Sequence, residues 1–177
     1  MRLALEDAGA DYVDVARQQG DKAIMPLLKG KHAGAVPFAP PFLKDDLSVI
    51  AQVANILAHL GLTLKLVPVT ASARRYANQL QLTVADLVGE VHDTHHPVAS
   101  KLYYKDQRAE ARRRAEDSRR NRVPKFLDYF ENGLARSNGR HALAAHSYVD
   151  LSLFQLVSAL DYAFARAMKK MQRTIPI

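Results

Sequence analysis

Apolar and polar positions alternate on two different scales along this chain. Over the first 66 residues the apolar runs are short and broken. Arg2–Ala8 predicts a short helix ended by Gly9, a residue suited to the left-handed position after a helix. Tyr12–Val15 predicts a strand, and 21–31, interrupted by Pro26, predicts either a helix start or an irregular turn. Pro41–Lys44 and Leu47–Ile50 predict two strands turning tightly at Asp45-Asp46. Gln52–Leu60 then predicts a helix stopped by Gly61.

From Ser72 onward the period is helical. Leu80, Val84, Leu87, Val88 and Val91 place an amphipathic helix over 72–95, ended by Pro97. Val123, Phe126, Leu127, Phe130 and Leu134 form the stripe of a second long helix over 106–136, kinked at Pro124. A third runs from Ser147 to about Met168 through Leu151, Phe154, Val157, Leu160 and Phe164. Phe126, Phe130, Phe154 and Phe164 are expected in its core. The aperiodic stretch Val67–Ala71 separates the two regimes. Three segments follow: 1–66, a linker at 67–71, and an all-helical 72–177.

Composition narrows the chemistry. The 177 residues are 48% hydrophobic and 24% charged, the balance of an ordinary globular protein. With no cysteine, disulfides, thiolate metal sites and a cysteine nucleophile are excluded. The opening Met1–Asp7 is charged and has no apolar run, so no export signal is expected. The most apolar window, Ser48–Leu64, holds Gln52, Asn55 and His59 and falls short of the ~20 residues a membrane helix needs. A soluble, intracellular protein with no membrane partner is expected.

The net charge of +7 is concentrated between Lys101 and Lys125, where ten basic residues face four acidic ones. Glu110/Arg114, Arg112/Glu116, Arg113/Asp117 and Glu116/Arg120 are spaced to pair along a solvated helix face. No aromatic interleaves with these arginines to stack on bases, so nucleic acid is not expected as a partner. His92 and His96 have the spacing of zinc ligands on a helix, but Asp93 is the one further ligand type beside them and Pro97 ends the helix. No metal is expected there. Tyr103 and Tyr104 suit the border of an apolar pocket or helix packing equally. No Ser-His-Asp set or glycine-rich phosphate loop is present in the pattern.

Three segments carry a family resemblance. Phe38-Ala39-Pro40-Pro41-Phe42-Leu43-Lys44-Asp45, followed by 50–57, is similar to the proline-preceded strand, hairpin and helix start of cytosolic glutathione S-transferases. Ser147-Tyr148-Val149-Asp150 resembles the Ser/Thr-x-x-Asp capping box that begins that family's buried C-terminal helix. Val123-Pro124-Lys125-Phe126-Leu127 is similar to its Pro-Lys-x-Leu segment. The resemblance implies an α+β chain: a thioredoxin-like glutathione-binding domain followed by an all-α domain.

It also implies roles. A cis-proline at Pro41, or at Pro40 with Ala39 supplying the contact, would present the strand edge at Phe42 to the glutathione backbone. Gln52 and the Val53 N–H would receive the γ-glutamyl carboxylate at a helix start. Asp93 is the candidate for reaching glutathione held by a dimer partner. Glutathione is then a substrate, and a small apolar electrophile its co-substrate. The expected protein is a cytoplasmic homodimer of the detoxification type, and Ser147 with Asp150 is its structural cap.

The chain departs from the family in four respects. Met1–Gly9 resembles the middle of the helix after the first strand, so the Tyr, Ser or Cys that activates the thiol is expected before Met1. The end at Arg173–Ile177 precedes the family's last helices, so truncation at both ends is expected. Val53 replaces a hydroxyl residue, and Pro40 has no N–H to offer. Little or no transferase activity is therefore expected of the chain, and the alternative is a non-catalytic dimerisation or ligand-binding protein.

Overall fold

A computed structural model describes residues 1–32, 34–137 and 139–171. The chain divides into two compact units, Met1–Arg74 and Arg75–Ile177.

The first unit contains α1 (Arg2–Asp7), α2 (Val15–Gln19), α3 (Met25–Leu28), β1 (Phe42–Lys44), β2 (Val49–Ala51) and α4 (Val53–Thr63). Its core is Leu5 of α1 against Ile56 and Leu60 of α4, with Tyr12, Leu43 and Ile50 closing around them. Gly9 sits at φ 60° just past α1, where an L side chain would be strained.

The predicted strand at Tyr12–Val15 is not formed. Residues 11–14 are irregular and Val15 begins α2. Asp14 explains the difference: its carboxylate caps α2 through the Arg17 N–H at 3.3 Å and also pairs with Arg2. An N-cap fixes the chain entering a helix, which competes with extended pairing.

The hairpin forms with a longer loop than expected. Its strands pair Phe42 with Ala51, Leu43 with Ile50 and Lys44 with Val49, leaving four residues, 45–48, in the turn. Asp45 organises that turn by accepting the Leu47 and Ser48 N–H groups at 2.9 and 2.7 Å. These two bonds hold the Asp45 carboxyl below the usual carboxylate range. Gly61 does not stop the following helix. It is buried inside α4, which continues to Thr63, and the chain leaves through Lys65 at φ 60°.

The second unit takes in most of α5 (Ala71–His92), then α6 (Arg108–Asp117), α7 (Val123–Ser137) and α8 (Tyr148–Met171). Thr70 starts α5 by accepting the Ala73 N–H at 3.3 Å. The unit's buried side chains include Leu80, Val84 and Leu87 of α5, Val123, Phe126 and Phe130 of α7, and Tyr148, Leu156, Leu160, Phe164 and Met168 of α8. Phe154 is a correction to the expected core, since 65% of it is exposed. Leu156, two positions on, takes the inward face instead, and Val88 and Val157 also lie outward.

The predicted second helix is broken at one place. Ser118–Arg122 forms a π turn between α6 and α7, and the Val123 N–H reaches back to the Ser118 carbonyl. Pro124 supplies the cause: it has no N–H for the carbonyl of residue 120, and its ring would crowd that oxygen in a regular α-helix. Widening the preceding turn relieves the crowding. A second irregularity falls within α8, where Phe164 has non-helical torsions, φ −131° and ψ 40°. The chain end from residue 172, which the sequence places past the last helix, lies outside the described residues.

Candidate functional site

The resemblance assigns glutathione to the first unit, and the hairpin register places most of those residues. Phe42 pairs with Ala51, so Pro41 and Gln52 flank the open end of the two-stranded ladder. The cis bond is the one between Pro40 and Pro41, which makes Pro41 the cis-proline. Pro40 therefore presents a carbonyl oxygen at this edge and no donor. Gln52 is the N-cap of α4, with φ 69° and ψ 123°. That combination is sparsely populated by any residue with a Cβ and costs roughly 1–3 kcal/mol. It persists because Gln52 is held on both sides, by the ladder ending at Ala51 and by the Ile56 N–H accepted on its own carbonyl at 2.9 Å.

Beyond Gln52, the first N–H groups of α4, starting at Val53, have no partner within the helix. Such groups are donors for a carboxylate. Val53 itself is partly exposed and contributes no hydroxyl. Asn55 donates its amide back to the Ala51 carbonyl at 3.3 Å. The edge can therefore offer one carbonyl, one strand and a helix start to an extended peptide. Phe38, four residues before Phe42, is 96% exposed.

Asp93 belongs to the second unit, just past the end of α5. Its carboxylate is more than half exposed and lies 3.6 Å from His92 Nδ1. His92 and His96 do share a face, with their rings stacked 5.0 Å apart. His96 Nδ1, however, approaches the Leu102 carbonyl at 3.2 Å.

The loop holding these groups is organised by a residue the sequence did not single out. Gln107 is fully buried, and its Oε1 accepts the Val98 and Ala99 N–H groups at 2.9 and 3.4 Å. Its Nε2 donates to the Ala99 and Leu102 carbonyls at 3.2 and 3.1 Å. One amide thus stands in for a stretch of ladder over 98–102. Nothing in local composition marks a glutamine for this task. Tyr103 and Tyr104 are exposed, each with a cation near its ring: Lys105 at 5.6 Å and Arg108 at 6.0 Å.

The basic stretch behaves only in part as its spacing suggests. Glu116 pairs with Arg120 at 2.8 Å, and Arg114 pairs with Asp117 at 3.6 Å, three positions along. Arg122 instead crosses to α5 and binds Glu90. Arg119, Arg120, Arg166 and Lys170, with Glu116, line an open cavity of about 490 Å³.

At the start of α8 the cap differs in detail from the expected box. The Ser147 N–H and Oγ both donate to Asp150 Oδ2 at 2.8 Å. The Asp150 N–H bonds to the Ser147 carbonyl at 3.1 Å, so the hydroxyl is a donor here and accepts nothing from it. Asp150 Oδ1 also takes the Ala142 N–H at 2.7 Å, tying the preceding loop to the helix start.

The second unit is thus an all-helical domain built around one long, capped final helix. Residues 92–176, a little under half of the chain, match the family model described as Glutathione S-transferase, C-terminal domain. No curated protein matches the chain. Among the described residues, no helix is long and apolar enough to cross a membrane.

Proposed function

We propose that this chain is a glutathione-binding protein, and that its family form conjugates the glutathione thiol to small apolar electrophiles. Residues 1–66 are assigned to a thioredoxin-like glutathione-binding domain, 67–71 to the linker, and 72–177 to the helical domain that supplies the apolar surface. Pro40, Pro41, Phe42, Gln52 and Val53 hold the peptide, and Asp93 reaches glutathione bound to a partner in a cytoplasmic homodimer. Detoxification is the corresponding role.

The observation that supports this reading most is the backbone of Gln52. A non-glycine residue kept at φ 69° and ψ 123°, at the junction of a strand and a helix start, is a feature that binding sites retain at a cost in stability. Its position opposite Pro41 aims the helix's free N–H groups and the strand edge at the same end of the hairpin.

The missing N–H of Pro40 and the missing hydroxyl at Val53 favour a second reading, a transferase-like protein that binds ligands without turning them over. Calorimetric titration with glutathione separates the readings, with circular dichroism confirming the fold. Saturable binding, weakened in Gln52→Ala, is the expected result. Conjugation of a generic electrophile well above the uncatalysed rate would then select the enzyme. A folded protein that takes up no glutathione would overturn the glutathione assignment and leave the helical domain's family match standing.

A further inference from the structure

The connection between α7 and α8 holds the one group of three potential metal ligands among the described residues. His141, His146 and Asp150 each bring a ligand atom within 4.8 Å of the others. All three come from a ten-residue stretch that enters a helix, so they are fixed by local structure. Ala142 and Leu143 are buried beneath them, and Ser137 Oγ donates to the Leu143 carbonyl at 2.6 Å. The loop carrying the histidines is therefore anchored.

Asp150 is prepared for a further ligand. A carboxylate has about four lone-pair positions. Among the described residues three are filled, by the Ala142 N–H on Oδ1 and by the Ser147 N–H and Oγ on Oδ2. The remaining one belongs to Oδ1, the oxygen 3.8 Å from His141 Nδ1. Those three donors are the outer-shell bonds that hold a metal-binding carboxylate in place. The His141 and His146 rings meet edge to face, 5.7 Å between centroids. His146 is exposed and His141 half-exposed, so the group is reached from solvent.

We propose that His141, His146 and Asp150 form a binding site for a divalent transition metal of the zinc class, which fastens the 139–147 connection to the first turn of α8. Two imidazoles and one carboxylate are a borderline ligand set that suits zinc, with water in the fourth position. Bonds of about 2.0–2.1 Å place tetrahedral ligands roughly 3.3 Å apart, so ligand atoms within 4.8 Å of one another close by no more than about 1.5 Å on binding. His92 and His96, the pair with regular helical spacing, provide the internal comparison. Their rings stack face to face, and His96 Nδ1 lies against a backbone carbonyl.

The test uses the untagged full chain, titrated with Co²⁺ and followed by visible absorption, and with Zn²⁺ followed by calorimetry. One equivalent of Co²⁺ with intense tetrahedral bands is expected, along with a Zn²⁺-dependent rise in Tm that a chelator reverses. His146→Ala removes an exposed ring, so it leaves the circular dichroism spectrum unchanged. It should weaken binding by more than about 100-fold, beyond the loss typical of an outer-shell change. His92→Ala/His96→Ala should bind as the parent does. No binding by the folded parent, binding retained in His146→Ala, or binding lost in the double variant would each overturn the proposal.

Discussion

Arg122 holds Glu90 through two hydrogen bonds, Nε to Oε2 at 2.8 Å and Nη2 to Oε1 at 2.6 Å, joining the π turn to the last turns of α5. The guanidinium also lies 5.2 Å from the Phe126 ring centre, so its planar fork is held from a second direction. This bidentate bond keeps the Glu90 carboxyl below its ordinary value of 4.5. A carboxyl with a depressed folded-state pKa stabilises the fold above its unfolded value, and that contribution disappears as pH falls through the folded value. Glu90→Gln should lower Tm by a few degrees at neutral pH and by less in acid. Thermal melts of both proteins across that range check it, and an equal loss at every pH would disprove it.

Gly89 sits in the exposed face of α5, and a Cβ built there meets nothing within 4 Å. Glycine inside a helix costs about 0.5–1 kcal/mol relative to alanine, through the freedom it loses on folding. Gly89→Ala should stabilise the protein by about that amount in urea unfolding.

Ser118 is completely buried in the π turn, and its hydroxyl has no hydrogen-bond partner among the described residues. An unpaired buried polar group costs roughly 1–3 kcal/mol, so Ser118→Ala should be neutral or stabilising by about 1 kcal/mol. A loss of stability would mean that the hydroxyl has a partner in solution.

Gln107 offers the opposite case, a buried amide with its bonding capacity used. Gln107→Ala removes the acceptor of the Val98 and Ala99 N–H groups and one partner of the Leu102 carbonyl and should cost about 2–3 kcal/mol. Hydrogen exchange at Val98 should quicken more than exchange in α7, because the damage is confined to 98–102.

The amphipathic stripes were legible because burial repeats with the helical period. Leu80, Val84 and Leu87, and later Val123, Phe126 and Phe130, needed nothing beyond spacing. Errors gathered where one side chain redirects the backbone. Asp14 turns an apolar-looking run into a helix cap, Asp45 lengthens a turn by two residues, and a buried Gly61 continues a helix that glycine usually ends. Phe154 misled for a different reason: apolar character at the right spacing does not fix which neighbouring position turns inward.

The candidate sites divide in the same way. Pro40, Pro41 and Gln52 were visible as residue types, while the torsions at Gln52 follow from its place between a ladder and a helix. Gln107 and the His141/His146/Asp150 group were invisible to periodicity. Both depend on how a loop closes: His146 and Asp150 are four apart, but His146 lies before α8 begins at Tyr148.

The π turn has a consequence for counting residues. At about 100° per residue, Phe126 would stand roughly 80° around the helix from Ser118, and Phe130 roughly 120°. Both are buried, as Ser118 is. With one residue taken out of the count, the same angles fall to about −20° and +20°, which places all three on one azimuth. The turn at Ser118–Arg122 absorbs one surplus residue and so restores the phase of the buried stripe. Chain length in this stretch therefore has two workable values. Omitting Asn121, with Pro124 replaced by alanine, would let an unbroken α-helix present the same stripe, whereas omitting two residues would rotate Phe126 and Phe130 away from it.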